Sequence, residues 1–168
     1  IKAKIISRQE GILAGIRFAR DIFYLKGCRV RIIKKDGAKV KPNQTILQVS
    51  GDAKAVLSCE RTVLNLLARM SGIATQTSLL VSKIRKINRK TKLYSTRKTA
   101  PGLRFFDKEA VAIGGGHKHR MSLNDMVMIK DNHLLVSNSI ENITKNARKQ
   151  HRDVEVEVEN QRDAMIAA

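Results

Sequence analysis

Two short apolar runs, each ending in a polar and cationic cluster, constrain the fold of this chain more than any other feature. Residues 93–94 (Leu-Tyr) lead into Thr-Arg-Lys at 96–98, and residues 126–129 lead into Lys-Asp-Asn-His at 130–133. Short apolar runs of this kind are typical of buried parallel strands. The carboxyl ends of such strands carry the functional residues of α/β barrels and open α/β sheets. The sequence therefore predicts an α/β fold with a cationic site at its strand ends.

The segment before residue 53 has the pattern of a small α/β module with an antiparallel sheet. It is rich in β-branched residues and punctuated by glycine, which favours short strands joined by turns. A helix is predicted at 16–25. Strands are predicted at 3–7, 11–15, 29–34 and 45–49.

Residues 53–87 form the longest predicted helical stretch, with apolar residues recurring near the 3.6-residue period. Ser71 and Gly72 interrupt this pattern, so we expect two helices or a bend at that point. Arg61 lies off the apolar stripe, and the pattern alone favours a surface charge there.

The chain is strongly basic, with 33 Lys and Arg against 15 Asp and Glu and a net charge of +18. Such a balance makes nucleic-acid binding a serious alternative function. Aromatic residues make up only 4% of the chain, however, so the stacking platforms of single-strand readers are scarce. We interpret the basic run at 83–92 as a solvated last helical turn. Small polyanionic substrates explain the cations at the strand ends better.

Five side chains at or beside the predicted strand ends form the candidate site: Arg97, Lys98, His119, Arg120 and Lys130. The planar fork of arginine binds carboxylate or phosphate through two hydrogen bonds, whereas lysine supplies a compact and mobile charge. With a histidine, this set suits one substrate that carries carboxylates and another that carries phosphates. The glycine run at 114–116 either lets the backbone approach a ligand or makes a tight loop.

The alternating sequence Val-Glu-Val-Glu-Val-Glu at 154–159 places three glutamates on one face of a strand. Three carboxylates on one face repel one another unless they meet cations, a metal or water. Glu155, Glu157 and Glu159 either face solvent or offer Mg²⁺ and ribose hydroxyls the oxygen ligands that these prefer. His117, His119, Asp125 and His133 lack the spacing of a structural zinc site.

Cys28 and Cys59 are predicted to be reduced and structural. The sequence has no signal-peptide pattern and no apolar run near the roughly 20 residues of a membrane helix. We therefore predict a soluble, cytoplasmic protein without a membrane partner.

Four blocks of the sequence carry a family resemblance: ERTVLNLLARMSGIAT at 60–75, TRKTAPGLR at 96–104, KEAVAIGGGHKHRMSLNDMVMIKDNH at 108–133 and EVEVEN at 155–160. In this order they resemble the quinolinate phosphoribosyltransferase family, also called nicotinate-nucleotide pyrophosphorylase (carboxylating). The resemblance implies a small N-terminal α/β sandwich domain at 1–64. It also implies an incomplete TIM-like α/β barrel at 65–168, whose first three strands lie near 92–94, 125–129 and 153–158.

The resemblance implies an enzyme, a pentosyltransferase of de novo NAD biosynthesis. Its substrates would be quinolinate and 5-phosphoribosyl-1-pyrophosphate, with Mg²⁺ as cofactor. Its products would be nicotinate mononucleotide, pyrophosphate and carbon dioxide. Nucleic acid is not among the implied partners.

The same resemblance implies roles for individual residues. Arg97, His119 and Arg120 would bind the quinolinate carboxylates, together with Arg61 reaching across from the partner in a homodimer. Three residues would have catalytic as well as binding roles: Lys98 and Lys130 near the phosphates or carboxylates, and Glu157 at the ribose hydroxyls and Mg²⁺.

Two other functions stay open at this point. A phosphoribosyltransferase-like protein of molybdate transport systems has a similar sequence, and a basic nucleic-acid-binding protein is the alternative from another class. The chain begins at Ile1 and stops within a predicted amphipathic helix at 160–168, so we expect truncation at both ends. We also expect this piece alone to be inactive and poorly folded.

Overall fold

The computed structural model describes residues 1–137, 139–151 and 153–168. These residues form two compact units, 1–119 and 120–168. Both units mix helices and strands, as the α/β fold class predicts. No helix in the described ranges is long and apolar enough to cross a membrane.

The first unit contains five strands and three helices in the order β1, β2, α1, β3, β4, β5, α2, α3. Its strands are β1 (Lys2–Ile6), β2 (Gly11–Ile12), β3 (Arg29–Ile32), β4 (Lys39–Val40) and β5 (Thr45–Ser50). Its helices are α1 (Ile16–Leu25), α2 (Ala53–Ile87) and α3 (Arg104–Ile113). The predicted bounds of the first two helices are confirmed, whereas the short strand β4 was not predicted.

An antiparallel sheet in the order β1-β5-β3 covers one side of the first core. Side chains alternate between its two faces, and one inward row is formed by Ile5, Leu47 and Ile32. Leu47 is fully buried, and helix α1 adds Phe23 from the opposite side. Burying a side chain of this size stabilises the fold by about 1.5–3 kcal/mol, so this core anchors the N-terminal part of the unit.

Cys28 and Cys59 both lie buried in this same core as free thiols. Their burial among apolar side chains agrees with a structural role, and their reduced state stays a prediction. A Cβ built at Gly51 would come within 2.9 Å of Cys28 Sγ. The first cysteine therefore fills the space beside a backbone segment that only glycine fits.

Helix α2 is one continuous helix of 35 residues, so the prediction of two separate helices at Ser71 and Gly72 is wrong, while the alternative of a bend there stays a prediction. Ser71 Oγ accepts a hydrogen bond from Ala14 N at 3.0 Å and thereby ties the helix to the segment before α1. Glycine costs a helix only about 1 kcal/mol relative to alanine. Burial of Met70 and Ala74 on either side outweighs that cost.

A second core forms where α3 packs against the C-terminal half of α2. Its buried residues include Met70, Ala74 and Ala110, with Phe106 packed against them. The glycine run then passes directly over α2, since a Cβ at Gly114 would meet Ala74 O at 2.5 Å. The run therefore serves close helix packing, which favours the tight-loop interpretation over the ligand-approach interpretation.

The described residues of the second unit form two strands and three helices: β6 (Val127–Ile129), α4 (Asp131–Ser137), α5 (Ile140–Gln150), β7 (Val154–Val156) and α6 (Gln161–Ala167). Strands β6 and β7 pair in parallel, with Val127 opposite Val154. Parallel strands require a crossover connection, which the two helices between them provide. The strands predicted at 125–129 and 153–158 are therefore present in shortened form.

The strand predicted near 92–94 consists of one parallel bridge between Tyr94 and His117 in the first unit. Tyr94 is half exposed rather than buried. Because a single bridge leaves the flanking residues unpaired in a sheet, the segment follows loop geometry over most of its length.

Replacing Gly114 with alanine should destabilise the first unit. The added methyl group would collide with Ala74 O, and with Thr77 Cβ at 2.7 Å. Overpacking of this kind typically costs about 1–3 kcal/mol. Urea unfolding of the full-length protein measures the change.

Gly72→Ala is the matched control for that substitution, because a Cβ at Gly72 would meet no described atom within 4 Å. It should stabilise the protein by up to about 1 kcal/mol through helix propensity. Equal effects of the two substitutions would contradict the close packing of the glycine run.

Candidate active site

Two loop segments of the first unit lie side by side and carry three of the predicted site residues. His117 N donates to Leu93 O at 2.8 Å, and Ser95 N donates to His117 O at 2.9 Å. Arg97 and Lys98 follow the first segment, and His119 follows the second. The structure thus brings together segments that lie about 20 residues apart in sequence.

A buried lysine that the sequence analysis missed joins these two segments. Lys108, on α3, is fully buried. Its Nζ donates to Ser95 Oγ at 3.1 Å and also to Lys118 O. Ser95 Oγ donates to the same carbonyl oxygen at 2.6 Å. Three polar groups from three segments therefore meet at one point, which we call the Lys108 junction.

His119 adopts a left-handed backbone conformation with φ of 53° directly after this junction. Residues with a side chain seldom adopt this conformation, and outliers of this kind cluster at functional sites. The Tyr94 ring contacts the imidazole edge-on, with centroids 6.0 Å apart. The orientation of this histidine is therefore set by both its backbone and its neighbours.

Arg97 has a buried Nε that has no hydrogen-bond partner among the described residues. Buried polar atoms are nearly always satisfied, so an orphaned guanidinium donor needs a specific reason. A carboxylate or phosphate ligand would supply the acceptor that is missing.

A cavity of about 250 Å³ lies beside this arginine segment in the first unit. Its lining includes three cations, Arg69, Lys98 and the buried Lys108, and one acid, Asp107, whereas Arg97 is not part of the lining. The volume is slightly below the roughly 300–1,000 Å³ typical of ligand pockets. A small anion suits both its size and its cationic lining.

An ion pair between α2 and α3 lines this cavity. Arg69 Nε and Nη2 donate to the two carboxylate oxygens of Asp107 at 2.7 and 2.8 Å. The hydrogen bond from Arg69 lowers the pKa of Asp107, although burial opposes the shift. Ala100 N also donates to Asp107 Oδ2 at 3.3 Å, which fixes the loop that follows Arg97.

The neighbouring acid, Glu109, holds the second segment by its side chain. It forms an ion pair with Lys118 Nζ and another with Arg17 Nη2 at 2.7 Å. The hydrogen bond from Lys118 is the main reason that the pKa of Glu109 is lowered. Helix α3 thus binds this segment through both the backbone and the side chain of Lys118.

Arg61 is not part of this cluster. It is exposed on α2, about 20 Å along the helix axis from Ala74, the residue that meets the glycine run. The structure leaves its side chain accessible, and its expected role in a partner subunit stays a prediction.

The remaining three predicted residues lie in the second unit. Lys130 Nζ and Glu157 Oε2 form an ion pair of 2.8 Å across the ends of β6 and β7. Glu157 N donates to Ile129 O at 2.9 Å, which continues the parallel pairing. Arg120 Nη1 donates to Met126 O at 3.2 Å. A cation and a carboxylate therefore stand at the carboxyl ends of the two strands.

The glutamates of the alternating segment are all exposed, and β7 ends at Val156. The described ranges contain no group of three His, Cys, Asp or Glu side chains that could hold a metal ion. The Asp125 carboxylate instead accepts hydrogen bonds from Met121 N at 2.7 Å and from Ser122. This aspartate closes a local turn.

The fold and these residues define a class: an α/β protein whose cationic side chains follow strand ends or a glycine run and suit the binding of small anions. Comparison with known families narrows this class. Residues 1–71 match the N-terminal domain of quinolinate phosphoribosyl transferase, and residues 73–168 match its C-terminal domain. The chain belongs to the quinolinate phosphoribosyltransferase family.

Individual relatives agree with this family. A probable nicotinate-nucleotide pyrophosphorylase (carboxylating) of Archaeoglobus fulgidus is 44% identical over 100% of this chain and 65% of its own length. One of Bacillus subtilis is 42% identical over 99% of this chain and 60% of its own length. The chain therefore spans about three-fifths of these relatives.

A solved structure of nicotinate-nucleotide pyrophosphorylase from Francisella tularensis matches with a TM-score of 0.91 and 38% identity. The match covers 99% of this chain and 60% of that chain. Together with the family matches, it supports the predicted order of a small N-terminal domain followed by the first part of a TIM-like barrel.

Asp107→Asn should lower stability in a pH-dependent way. The lowered pKa of Asp107 means that its ion pair stabilises the fold above the unfolded carboxyl pKa, about 3.9. That stabilisation is lost as the pH falls through the lower folded value. The substitution should cost roughly 1–3 kcal/mol at neutral pH, because Arg69 is partly solvated, and progressively less in acid. Chemical denaturation across pH 2–7 measures the difference.

Glu141→Gln is the control for this experiment, because Glu141 pairs with Lys145 at 2.6 Å on the exposed face of α5. Such surface pairs contribute little, so stability should change little at any pH. A penalty for Asp107→Asn that stays constant down to pH 2 would contradict the role of its charge.

Proposed function

We propose that the full-length protein transfers the phosphoribosyl group of 5-phosphoribosyl-1-pyrophosphate to quinolinate, with loss of carbon dioxide. The products are nicotinate mononucleotide and pyrophosphate, within NAD biosynthesis. The family matches and the named relatives support this activity. They favour it over the molybdate-transport relative and the nucleic-acid-binding alternative.

The observation that carries the proposal is the buried Nε of Arg97, which has no hydrogen-bond partner among the described residues. Its two neighbours in sequence, Thr96 and Lys98, line the small cavity described above. A buried Nε donor without a protein acceptor is suited to an anionic ligand. Quinolinate carries two adjacent carboxylates, so its recognition calls for several cations. His119 and Arg120 are proposed to complete that recognition, as the resemblance implies.

The two lysines and the glutamate are proposed to act on the sugar substrate and the departing anion. Lys98 and Lys130 lie near the phosphates or carboxylates, and Glu157 holds the ribose hydroxyls. Pyrophosphate leaves as an anion while the sugar gains positive character, so preorganised cations stabilise the charge that develops. This chemistry requires no covalent nucleophile, and the main task of the protein in decarboxylation is to orient the ring.

Mg²⁺ is the proposed cofactor, and among the candidate site residues Glu157 is the carboxylate that could bind it. Magnesium is often bound through one or two carboxylates plus substrate phosphates. Glu157 is 60% exposed and keeps one oxygen beyond its contact with Lys130, so it would be the protein carboxylate at such an ion. When bound, the ion would neutralise charge on the pyrophosphate.

A homodimer is the proposed assembly, with Arg61 of each subunit completing the site of its partner. Two features support it: Arg61 is exposed, and it lies far along α2 from the first-unit cluster. The cytoplasm is the proposed compartment, because a reducing environment maintains the free thiols of Cys28 and Cys59.

Arg97→Ala should weaken quinolinate binding by at least about tenfold, because a charge-assisted hydrogen-bond donor is lost. Isothermal titration of quinolinate into the folded full-length variant measures this. Arg85→Ala removes an exposed arginine of α2 and should leave the affinity unchanged. Unaltered quinolinate affinity in folded Arg97→Ala protein would refute the assigned role.

The same titration with nicotinate and with a short RNA separates the functions. Saturable quinolinate binding that nicotinate does not match is the expected result. Salt-sensitive RNA binding without quinolinate binding would instead show that the cations serve a polyanion surface.

Mixing two inactive variants tests the shared site. Arg61→Ala and Arg97→Ala proteins should each be nearly inactive alone, but a mixed dimer regains one complete site. After subunit exchange, random pairing makes about half of the dimers mixed, and each mixed dimer has one complete site out of two because the two-fold interface repeats the same contacts. The mixture should therefore regain about one quarter of the wild-type turnover. A mixture no more active than its components would exclude the contribution of Arg61 across the interface.

A further inference from the structure

We propose that Lys108 is a positioning residue that holds the Arg97 and His119 segments in the geometry that quinolinate binding requires. The choice of quinolinate as the substrate rests on the proposed function. The way in which Lys108 holds the two segments rests on the geometry described above. The side chain of Lys108 lines the small cavity, but its Nζ donates to protein oxygens, and no role toward substrate or metal is assigned to it above.

The first step of the argument is the geometry of the Lys108 junction. Lys108 Nζ donates to Ser95 Oγ at 3.1 Å and to Lys118 O, and the side chain is fully buried. Arg97 follows Ser95 by two residues, and His119 follows Lys118 directly. One ammonium group therefore fixes the points from which both substrate-binding side chains extend.

The second step is the cost of burying this group. An ammonium in a protein interior is unfavourable unless its hydrogen bonds are satisfied. A lysine at this position would be replaceable by an apolar residue if its task were only to fill space, since apolar packing often stabilises as well as a buried charge does. The polar contacts at both loops supply a reason for a cation at this position.

The third step is the strain that follows the junction. His119 has a φ of 53°, a conformation that persists only where the surroundings hold it. Lys118 O, which precedes this residue, accepts hydrogen bonds from both Lys108 and Ser95. Removing the ammonium leaves one of these two donors, so the strained turn should relax.

The fourth step concerns neighbouring residues of α3. Asp107 accepts a hydrogen bond from Ala100 N, and Glu109 forms an ion pair with Lys118. Three consecutive side chains thus attach α3 to the loops of the site. Lys108 is the member that contacts both segments, which makes it the sharpest target for a test.

The test compares Lys108→Met and Lys108→Gln in the full-length protein, with Lys83→Met as control. Methionine keeps the length and the apolar stem, whereas glutamine also keeps a neutral donor. Lys83 is exposed in the basic run of α2, so its substitution changes the net charge equally without touching the junction.

Hydrogen exchange without substrate is the first measurement. Lys108→Met should speed amide exchange at 94–100 and 117–120 by at least about tenfold, while the core of α2 keeps its protection. Glutamine should give a smaller effect, and the Lys83 control should give none. Unchanged exchange at both segments would overturn the proposal, as would a loss of protection throughout α2 in both variants.

Steady-state kinetics is the second measurement. Lys108→Met should raise the KM for quinolinate at least about tenfold and leave the KM for 5-phosphoribosyl-1-pyrophosphate nearly unchanged. Glutamine should restore part of the quinolinate KM if hydrogen bonding is the cause. Glutamine as damaging as methionine would assign the effect to the charge of Lys108 and overturn a positioning role.

The two measurements separate this inference from the proposed function. If wild-type protein does not bind quinolinate, the proposed function fails. The exchange measurement would still report whether Lys108 holds the two segments. Normal wild-type turnover with unaltered kinetics in folded Lys108→Met protein would overturn the inference alone.

Discussion

The close approach of the glycine run to helix α2 is the contact on which the geometry of the first-unit site depends. Side chains at Gly114 and Gly116 would overlap atoms of Ala74, Thr77 and Val111. Without side chains there, the chain lies directly on the helix and turns back toward Tyr94. His117 can then pair with Leu93 and Ser95, and the candidate residues follow from that pairing.

Two acids of this basic chain, Asp107 and Glu109, pair with cations that hold the first unit together and not with the candidate ligand-binding cations of that unit. Asp107 pairs with Arg69, and Glu109 pairs with Arg17 and Lys118. The Arg97 Nε has no acceptor among the described residues. An anionic ligand would thus meet an unsatisfied donor instead of competing with a protein carboxylate. In the second unit the arrangement differs, because Lys130 and Glu157 pair with each other.

Local sequence patterns predicted the helices α1 and α2, whose hydrogen bonds form between residues close in sequence. The bounds of α1 and α2 follow from apolar periodicity, and in the structure Asp52 caps α2 by accepting a hydrogen bond from Ala55 N. The helix does not divide in two at Gly72, because tertiary packing on both sides of that glycine outweighs its low helix propensity. The strand near 92–94 reduced to one bridge, since nothing in its own residues sets its pairing partner.

The sequence predicted the cations of the candidate site but not the residues that hold those cations in place. The sequence signal is an apolar run followed by cations, as expected where a buried strand ends at a functional site. This signal identifies Arg97, Lys98 and Lys130. Lys108 follows no such run, and a lysine within a helix normally indicates solvent. Its one signal is its place between Phe105 and Val111, each three residues away on the same helical face. The buried junction became visible only once α3 was placed against the two loops.

The continuity of α2 also bears on how such a protein can change through recombination. The two family segments meet between residues 71 and 73, near the middle of a helix that runs from Ala53 to Ile87. An exchange of genetic segments at that point would join half-helices from different ancestors, and each half packs against a different core. Only partners whose halves preserve the same helical phase would yield a folded product, so one helix makes the two segments structurally dependent on each other.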